Sequence, residues 1–285
     1  MLSSKVNDYK LLTKFRLSSL VVFSAGIGYL LAIPAGGFGW LNLFILCLGG
    51  FLVTGAANAL NQILEIDVDK QMARTSDRPL TSGRMSVNEA VLAAGLMSLV
   101  GIGCLAYFNA LAALIGMISL VSYAFLYTPM KKISPIAVLI GAFPGAFPPM
   151  IGWVAVTGSF DTEALVLFGI QFMWQFPHFW AIAWVRFEDY AKAGFYLLPT
   201  KKKDKQSALQ AFIYAAFLIP IGWMPYFLGL SGLISGIVLM VASVYFTYAA
   251  WMLYRTCTRE AARKLMFSSF FYLPIVMIAL LLDKL

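Results

Sequence analysis

Long runs of apolar residues, separated by short polar or glycine- and proline-containing stretches, make up most of this chain. A helix needs about 20 mainly apolar residues to cross the hydrocarbon core of a bilayer. The runs that meet this length predict nine transmembrane helices, at about residues 17–35, 40–63, 87–107, 109–127, 134–157, 162–186, 207–228, 231–254 and 265–282.

The composition agrees with this interpretation. Of the 285 residues, 61% are hydrophobic and only 12% are charged, whereas a soluble domain carries roughly 25% charged residues. The longest polar stretch, around residues 201–207, has the length of a loop. We therefore predict an all-α, polytopic membrane protein with one transmembrane domain over residues 1–285, embedded in the lipid bilayer.

The basic residues predict the orientation of the helices. All but one of the 21 Lys and Arg residues precede the first segment or lie in the loops after the second, fourth, sixth and eighth; the exception is Lys284. The positive-inside rule places the N-terminus and these loops in the cytoplasm, and the C-terminus on the opposite side. The short N-terminus favours a bacterial inner membrane over a cleaved mitochondrial transit peptide.

Two other kinds of site are disfavoured by the same distribution. The net charge of +8 lies in short clusters between apolar runs rather than on one face of a domain, which argues against a nucleic-acid partner. Cys47, Cys104 and Cys257 stand alone in or beside apolar segments. They lack the spacing of a zinc site or of a disulfide framework and are expected to be buried thiols.

An oxygen-bearing stripe ends the second segment. Asn61, Glu65 and Asp69 are four residues apart, so we expect them on one face of a helix. Neighbouring carboxylates repel one another unless a cation lies between them. Mg²⁺ is bound by carboxylates, water and substrate phosphate oxygens, so this pattern favours a metal–diphosphate site. The alternative is a helix end that has simply reached water.

Further cations lie on the same predicted side. Arg74 and Arg78 follow the stripe, and their guanidinium groups are suited to bidentate binding of phosphate. Lys131 and Lys132 follow the fourth segment, directly after the aromatic run that contains Tyr127.

A second polar constellation ends the sixth segment. His178, the one histidine of the chain, lies among aromatic residues, and Arg186 and Asp189 follow. Eleven residues are close to three helical turns, so we expect His178 and Asp189 near one face. A single histidine among aromatic residues is also consistent with a hydrogen-bonded packing role.

The fifth segment contains three prolines, Pro144, Pro148 and Pro149, among glycine and alanine residues. A proline inside a transmembrane helix leaves a backbone carbonyl without its hydrogen-bond donor. This is tolerated where neighbouring helices or a cavity satisfy the carbonyl. Close helix packing through the small residues is the alternative, and both can hold.

Together these residues resemble the UbiA superfamily of intramembrane prenyltransferases. Its first motif begins with Asn and has acids four and eight residues later, as do Asn61, Glu65 and Asp69. The chain is similar to the heme O synthase branch in its aromatic, proline-rich and histidine motifs. Those motifs are Tyr127-Thr128 with Lys131 and Ser134, the stretch 141–149, Pro177-His178-Phe179, Asp189-Tyr190, Ala193-Gly194 and Leu198-Pro199.

The chain departs from the superfamily pattern at two places. Glu65 stands where most members have Asp, and Gln62 where many have a further Asp; the longer Glu65 keeps its charge and is expected to retain metal binding. The second acidic motif is depleted, near Arg186 and Asp189.

The resemblance implies transfer of the farnesyl group of farnesyl diphosphate to a vinyl carbon of heme b, giving heme O. It implies Mg²⁺ on Asn61, Glu65 and Asp69, which with Lys131 and Asp189 form the catalytic set. The diphosphate would lie on Arg74, Arg78, Lys131 and Lys132. Heme b, as substrate, would meet His178, Arg186 and Tyr127. Heme A synthase or a terminal oxidase assembly would be a partner.

Three other functions fit parts of the pattern. A prenyltransferase of the same fold could act on a quinone precursor or a chlorin. A cation-coupled transporter also has acidic residues near helix ends. Such a transporter is expected to show paired broken helices in an inverted repeat. This sequence has one proline-rich helix, which argues against a transporter. A heme carrier without catalytic activity would need no diphosphate site.

Overall fold

A computed structural model describes residues 2–34 and 36–285, with side chains from residue 5, and nearly all of this chain is helical. The helices, in chain order, are α1 Leu2–Leu12, α2 Phe15–Ala32, α3 Trp40–Leu64, α4 Ile66–Asp69, α5 Val87–Ala106, α6 Ala110–Val121, α7 Thr128–Met130, α8 Ala137–Thr157, α9 Thr162–Val185, α10 Phe187–Lys192, α11 Lys205–Phe227, α12 Leu233–Thr256 and α13 Arg259–Leu282. A π-helical segment, Ser122–Tyr127, joins α6 to α7.

Within the described residues, nine helices are long and apolar enough to span a membrane. They are α2, α3, α5, the continuous unit Ala110–Met130, α8, α9, α11, α12 and α13, so the predicted all-α polytopic fold is confirmed. The predicted start of the last span was wrong: α13 begins at Arg259 because Thr258 caps its first turn by accepting from Ala261 N. The predicted end of the first span, residue 35, lies outside the described residues.

The short helices α1, α4 and α10 were not predicted, because each is too short or too polar to resemble a membrane span. All three lie on the side where α2 begins and α3 ends. Arg84 fastens α1 to the loop after α4, with its Nε 2.8 Å from Asp8 Oδ1 and its Nη1 2.8 Å from Asp77 Oδ1. These helices therefore build the polar edge of the bundle.

The helix α8 lies at the centre of the bundle, against α2, α6 and α9, and is buried along most of its length. Glycines allow α2 and α8 to approach closely. A Cβ atom built on Gly28 would overlap the backbone of Pro149, and one on Gly152 would overlap the carbonyl of Ala25. The packing explanation of the small residues in α8 is thereby confirmed.

Two of the three carbonyls freed by the prolines of α8 accept hydrogen bonds from neighbouring helices. A proline removes the hydrogen bond to the carbonyl four residues earlier. Pro149 frees the carbonyl of Gly145, which accepts from Gln171 Nε2 at 2.7 Å. Pro148 frees the carbonyl of Pro144, which accepts from Ser119 Oγ at 3.4 Å. Neighbouring helices thus supply the donors that the proline-rich sequence lacks.

Lys284, the one basic residue outside the predicted basic side, caps a helix. Its ammonium donates to the carbonyls of Leu30 and Ile33 at the C-terminal end of α2, where a cation is favourable because of the helix dipole. The adjacent Asp283 accepts from Ser235 N at 2.7 Å in the first turn of α12. These two residues join the ends of α2, α12 and α13.

We expect Gly152→Ala to destabilise the bundle, because the added methyl group meets backbone that cannot move aside. Overpacking of this kind costs about 1–3 kcal/mol, seen as a lower melting temperature in detergent. Gly103→Ala is the matched control, since nothing lies within 4 Å of a Cβ there. Equal melting temperatures for the two variants would contradict the close packing of α2 on α8.

We expect Gln171→Leu to lower the melting temperature, because it leaves the carbonyl of Gly145 without a donor inside the bundle. An unsatisfied buried polar group costs about 1–3 kcal/mol. Ser119→Ala removes the longer bond to Pro144 and should have a smaller effect. A larger loss of melting temperature for Ser119→Ala than for Gln171→Leu would contradict the importance of the hydrogen bond from Gln171 to the carbonyl of Gly145.

Candidate active site

The oxygen-bearing stripe lies where α3 breaks and α4 begins. Glu65 has φ −110° and ψ 13°, outside the helical range, so the predicted single helix face is interrupted at this residue. The hydrogen bonds from Glu65 N to Asn61 O and from Asp69 N to Glu65 O bridge the break. All three side chains therefore still face the same interior region.

Glu65 is buried and paired with Lys131. Its Oε1 lies 2.5 Å from Lys131 Nζ, while its Oε2 accepts from Asn61 Nδ2 at 2.8 Å. Glu65 is 4% and Lys131 8% exposed. A buried ion pair is expensive to desolvate and removing one partner is strongly destabilising. Glu65, a predicted metal ligand, and Lys131, predicted to bind diphosphate, are thus in direct contact.

Asp69 is the deepest carboxylate of the stripe, at 1% exposed. Its Oδ2 pairs with Arg78, and its Oδ1 is buried without a hydrogen-bond donor among the described residues. Burial raises the pKa of the Asp69 carboxyl, and the Arg78 guanidinium opposes this shift. An unpaired buried carboxylate oxygen is the kind of atom that a cation would satisfy.

Sequence reasoning missed Lys14, which enters the same cluster. This residue separates α1 from α2 and has the left-handed conformation, with φ 49°. Its Nζ donates to Asn61 Oδ1 at 3.2 Å. In the sequence Lys14 is one of several charges before the first span, whereas the structure gives this one lysine a specific contact.

Two polar side chains of α3 donate hydrogen bonds to the backbone between α1 and α2, directly before Lys14. Gln62 Nε2 donates to the carbonyls of Leu11 and Leu12, at 3.0 and 2.7 Å, and so satisfies the C-terminal end of α1. Asn58 Nδ2 donates to the carbonyl of Thr13 at 3.3 Å. Gln62, noted in the sequence as a departure from an acidic pattern, therefore binds backbone.

The cluster contains more basic than acidic side chains. Lys14, Arg78 and Lys131 face only two carboxylates, those of Glu65 and Asp69. Burial, with smaller contributions from Arg78 and Lys131, lowers the pKa of Lys14 to about 7. Burial also lowers the pKa of Lys131, against the pull of Glu65. A bound anion would favour the protonated, positively charged forms of both lysines.

The unit Ala110–Met130 contributes one wall of the cluster. Its π-helical segment ends beside Thr128, whose Oγ1 accepts from Asn61 Nδ2 at 3.1 Å. Lys131 Nζ lies 5.0 Å from the ring centroid of Tyr127 and 5.2 Å from that of Phe195. Segments of π-helix are frequent at functional sites, and this one brings Thr128 and Lys131 to the stripe.

Arg74 lies nearby but outside the buried cluster. Its Nη2 donates to Tyr190 OH at 3.1 Å, and its guanidinium lies 4.9 Å from the centroid of the Tyr190 ring. Val68 and Met72 pack against Phe195 beneath this contact. The helix α4 and the loop after it thus contact α10 and the residues that follow α10.

The other predicted site residues are not brought into the cluster. Lys132 is exposed. Asp189 pairs with Arg186 at 3.5 Å, and both side chains are 40% or more exposed. The expectation of one continuous helix through His178 and Asp189 was wrong: α9 ends at Val185, α10 begins at Phe187, and Arg186 between them has φ −106° and ψ 23°.

His178 lies between α9 and α13. Its Nδ1 is 2.7 Å from Ser269 Oγ, its ring stacks on Trp174 with centroids 4.6 Å apart, and Phe270 packs edge-on at 5.5 Å. Trp174 Nε1 donates to the carbonyl of Ser269 at 2.9 Å. The predicted aromatic surroundings are present, and the histidine is hydrogen-bonded within them.

The donors of the stripe suit a hard divalent cation. Asn61, Glu65 and Asp69 offer only oxygen atoms to it, and Asp69 Oδ1 is unpaired. Among the described residues no three His, Cys, Asp or Glu side chains form a metal cluster. The fit therefore depends on two carboxylates and an amide, with further ligands from substrate or water.

Comparison with known proteins identifies the family. A model of the UbiA prenyltransferase family matches residues 20–273. A protoheme IX farnesyltransferase of Cytophaga hutchinsonii is 51% identical over 285 residues, which cover 99% of each chain.

Solved structures share the fold at low sequence identity. One, of a digeranylgeranylglyceryl phosphate synthase, has a TM-score of 0.83 and 22% identity, covering 98% of both chains. Another, a UbiA homolog from Archaeoglobus fulgidus bound to GPP and Mg²⁺, has a TM-score of 0.71 and 13% identity, covering 96% of this chain and 99% of that one. The match to the family model, over most of the chain, shows that this protein belongs to the UbiA prenyltransferase family.

Proposed function

We propose that this protein transfers the farnesyl group of farnesyl diphosphate to a vinyl group of heme b, with addition of water, to give heme O and diphosphate. The observation that carries the proposal is the buried cluster in which Lys14, Arg78 and Lys131 outnumber the carboxylates of Glu65 and Asp69. Such a cluster is suited to an anion with several negative charges. The Cytophaga hutchinsonii relative, named a protoheme IX farnesyltransferase, supports the choice of substrates.

In the proposed reaction the bond between C1 of the farnesyl chain and the diphosphate oxygen breaks, and its electron pair leaves with diphosphate. Lys14, Arg78 and Lys131 would stabilise that charge, as preorganised donors do in other sites. Arg74, held by Tyr190, and the exposed Lys132 would contact the outer phosphate. The vinyl carbon of heme b then bonds to C1, and water adds to the resulting cation with loss of a proton.

Mg²⁺ is the proposed cofactor, and Asn61, Glu65 and Asp69 would hold it. When bound, it would neutralise the charge of the leaving group. The Archaeoglobus fulgidus homolog bound to GPP and Mg²⁺ supports this assignment. Lys14 and Lys131, which now contact Asn61 and Glu65, would then be available for the phosphate oxygens. Asp189 remains part of the proposed catalytic set, although it lies outside the cluster and is paired with Arg186.

The farnesyl chain needs an apolar channel beside the cluster. We propose that a series of phenylalanines on α8 and α9 forms the walls of this channel. Phe143 and Phe172 have centroids 5.1 Å apart, Phe147 and Phe168 are 5.7 Å apart, and Phe172 and Phe176 are 5.1 Å apart. Aromatic faces also favour a passing carbocation.

His178 is the proposed ligand of the heme iron. The hydroxyl of Ser269 donates its one hydrogen to the carbonyl of Met266 at 2.5 Å, so it must accept from Nδ1–H of His178. This tautomer leaves Nε2 with a free electron pair, the form in which histidine binds a metal. Arg186, in a weak exposed pair with Asp189, would bind a propionate, and Tyr127 would contact the porphyrin.

The proposed location is the cytoplasmic membrane of a bacterium, with the cluster on the cytoplasmic side and the end of α13 opposite. The basic residues near the cluster support this orientation. Heme A synthase or a terminal oxidase assembly would be the proposed recipient of the product.

Purified protein incubated with heme b, farnesyl diphosphate and Mg²⁺ should form a farnesylated heme, detected by mass spectrometry, and chelation of the metal should abolish the product. Glu65→Gln should lower the rate by about tenfold to a hundredfold, since it replaces a proposed carboxylate ligand by a neutral amide. Asp67→Asn is the matched control, because Asp67 is 93% exposed. Prenylation of a quinone precursor or a chlorin in place of heme would refute the proposed substrate, and full activity of Glu65→Gln would refute the site.

His178→Ala should weaken heme b binding by about tenfold or more, because the iron loses its protein ligand. The Soret band of the bound heme should shift, and added imidazole should restore it. Ser269→Ala removes only the hydrogen bond that orients the ring, and should have a smaller effect on heme binding. An unchanged Soret band and heme affinity in His178→Ala would assign the histidine to packing alone.

A further inference from the structure

Thr128 closes the π-helical segment and has no role in the chemistry described so far. Its backbone N–H and its hydroxyl both donate to the carbonyl of Tyr123, five residues earlier, the hydroxyl at 2.9 Å. A hydroxyl has one hydrogen to donate. Toward Asn61 Nδ2, at 3.1 Å, Thr128 Oγ1 can therefore only accept.

The other two neighbours of Asn61 also have one role each. The Glu65 carboxylate only accepts, and it takes Asn61 Nδ2 at 2.8 Å. The Lys14 ammonium only donates, and it contacts Asn61 Oδ1 at 3.2 Å. Both hydrogens of Nδ2 are thus engaged, and the oxygen of the amide faces the cationic side of the cluster.

We propose that Thr128 is a positioning residue that holds the Asn61 amide with Oδ1 toward the cation site. A rotated amide would present its NH₂ group, whose hydrogens repel a cation. Asn61 is 2% and Thr128 3% exposed, so water does not compete for this hydrogen bond. The proposal rests on the proposed function, because it concerns the ligand atom that Mg²⁺ would meet.

The π-helical geometry explains why the hydroxyl is fixed. In an α-helix the hydroxyl of a threonine bonds the carbonyl three or four residues earlier. Here the wider turn gives Thr128 the carbonyl of Tyr123, which already receives the backbone N–H. The orientation of Asn61 therefore depends on the backbone of a different span, and not on the stripe alone.

Binding of Mn²⁺ in the presence of inorganic diphosphate, followed by electron paramagnetic resonance, tests the inference without heme or turnover. Thr128→Val and Thr128→Ala should both weaken Mn²⁺ binding by about tenfold, although they differ in volume. Thr128→Ser keeps the hydroxyl and should bind as the wild type does. Diphosphate binding without metal should be unchanged in all three variants.

Two controls separate positioning from packing. Ser122→Ala removes another hydroxyl bond to backbone in the same segment, to Ser119 O at 3.2 Å, and should leave Mn²⁺ binding intact. In an Asn61→Ala background, Thr128→Val should cause no additional loss, because the amide through which it acts is gone.

Each possible result decides between the two proposals. Wild-type Mn²⁺ affinity in Thr128→Val would overturn the positioning role and leave the proposed function standing. A loss in Thr128→Ser, or an additional loss in the Asn61→Ala background, would also overturn it. If the wild type itself bound no Mn²⁺, the proposed metal site would fail, and this inference with it.

Discussion

The arrangement of the polar end of the bundle depends on the pairing of two buried carboxylates with basic side chains. Glu65 and Asp69 are almost fully removed from water, and a single unpaired charge there would cost several kcal/mol. Lys131 and Arg78 approach them from different segments of the chain. The break in α3, the π-helical segment and the loop after α4 are the backbone features that bring these partners into contact. The additional basic side chain, Lys14, is what makes the site suitable for an anion.

Much of the fold could be predicted because each span has a strong apolar signal and the charges alternate between loops. The failures have local causes. Helix α1 contains polar residues at most positions and is held by Arg84 and Gln62, contacts between residues far apart in sequence. The break at Arg186, which places His178 and Asp189 on separate helices, follows no proline or glycine and left no signal in the sequence.

Part of the candidate site could also be predicted from local patterns in the sequence. The spacing of Asn61, Glu65 and Asp69 predicted their common direction, and this survives the break at Glu65 because backbone hydrogen bonds bridge it. Spacing could not show that Lys131 contacts Glu65, since that pair depends on packing between two spans. Lys14 was missed for the same reason. Local patterns thus identified the ligand types, and tertiary packing selected which cations meet them.

The contact of Lys284 with the end of α2 has a consequence for biogenesis. Spans that enter a membrane in chain order leave the last carbonyls of α2 without this ammonium until α13 has been inserted. The early intermediates therefore carry an exposed polar end on the side opposite the charged cluster. Insertion of α13 brings it against α2 and so joins the first and last spans.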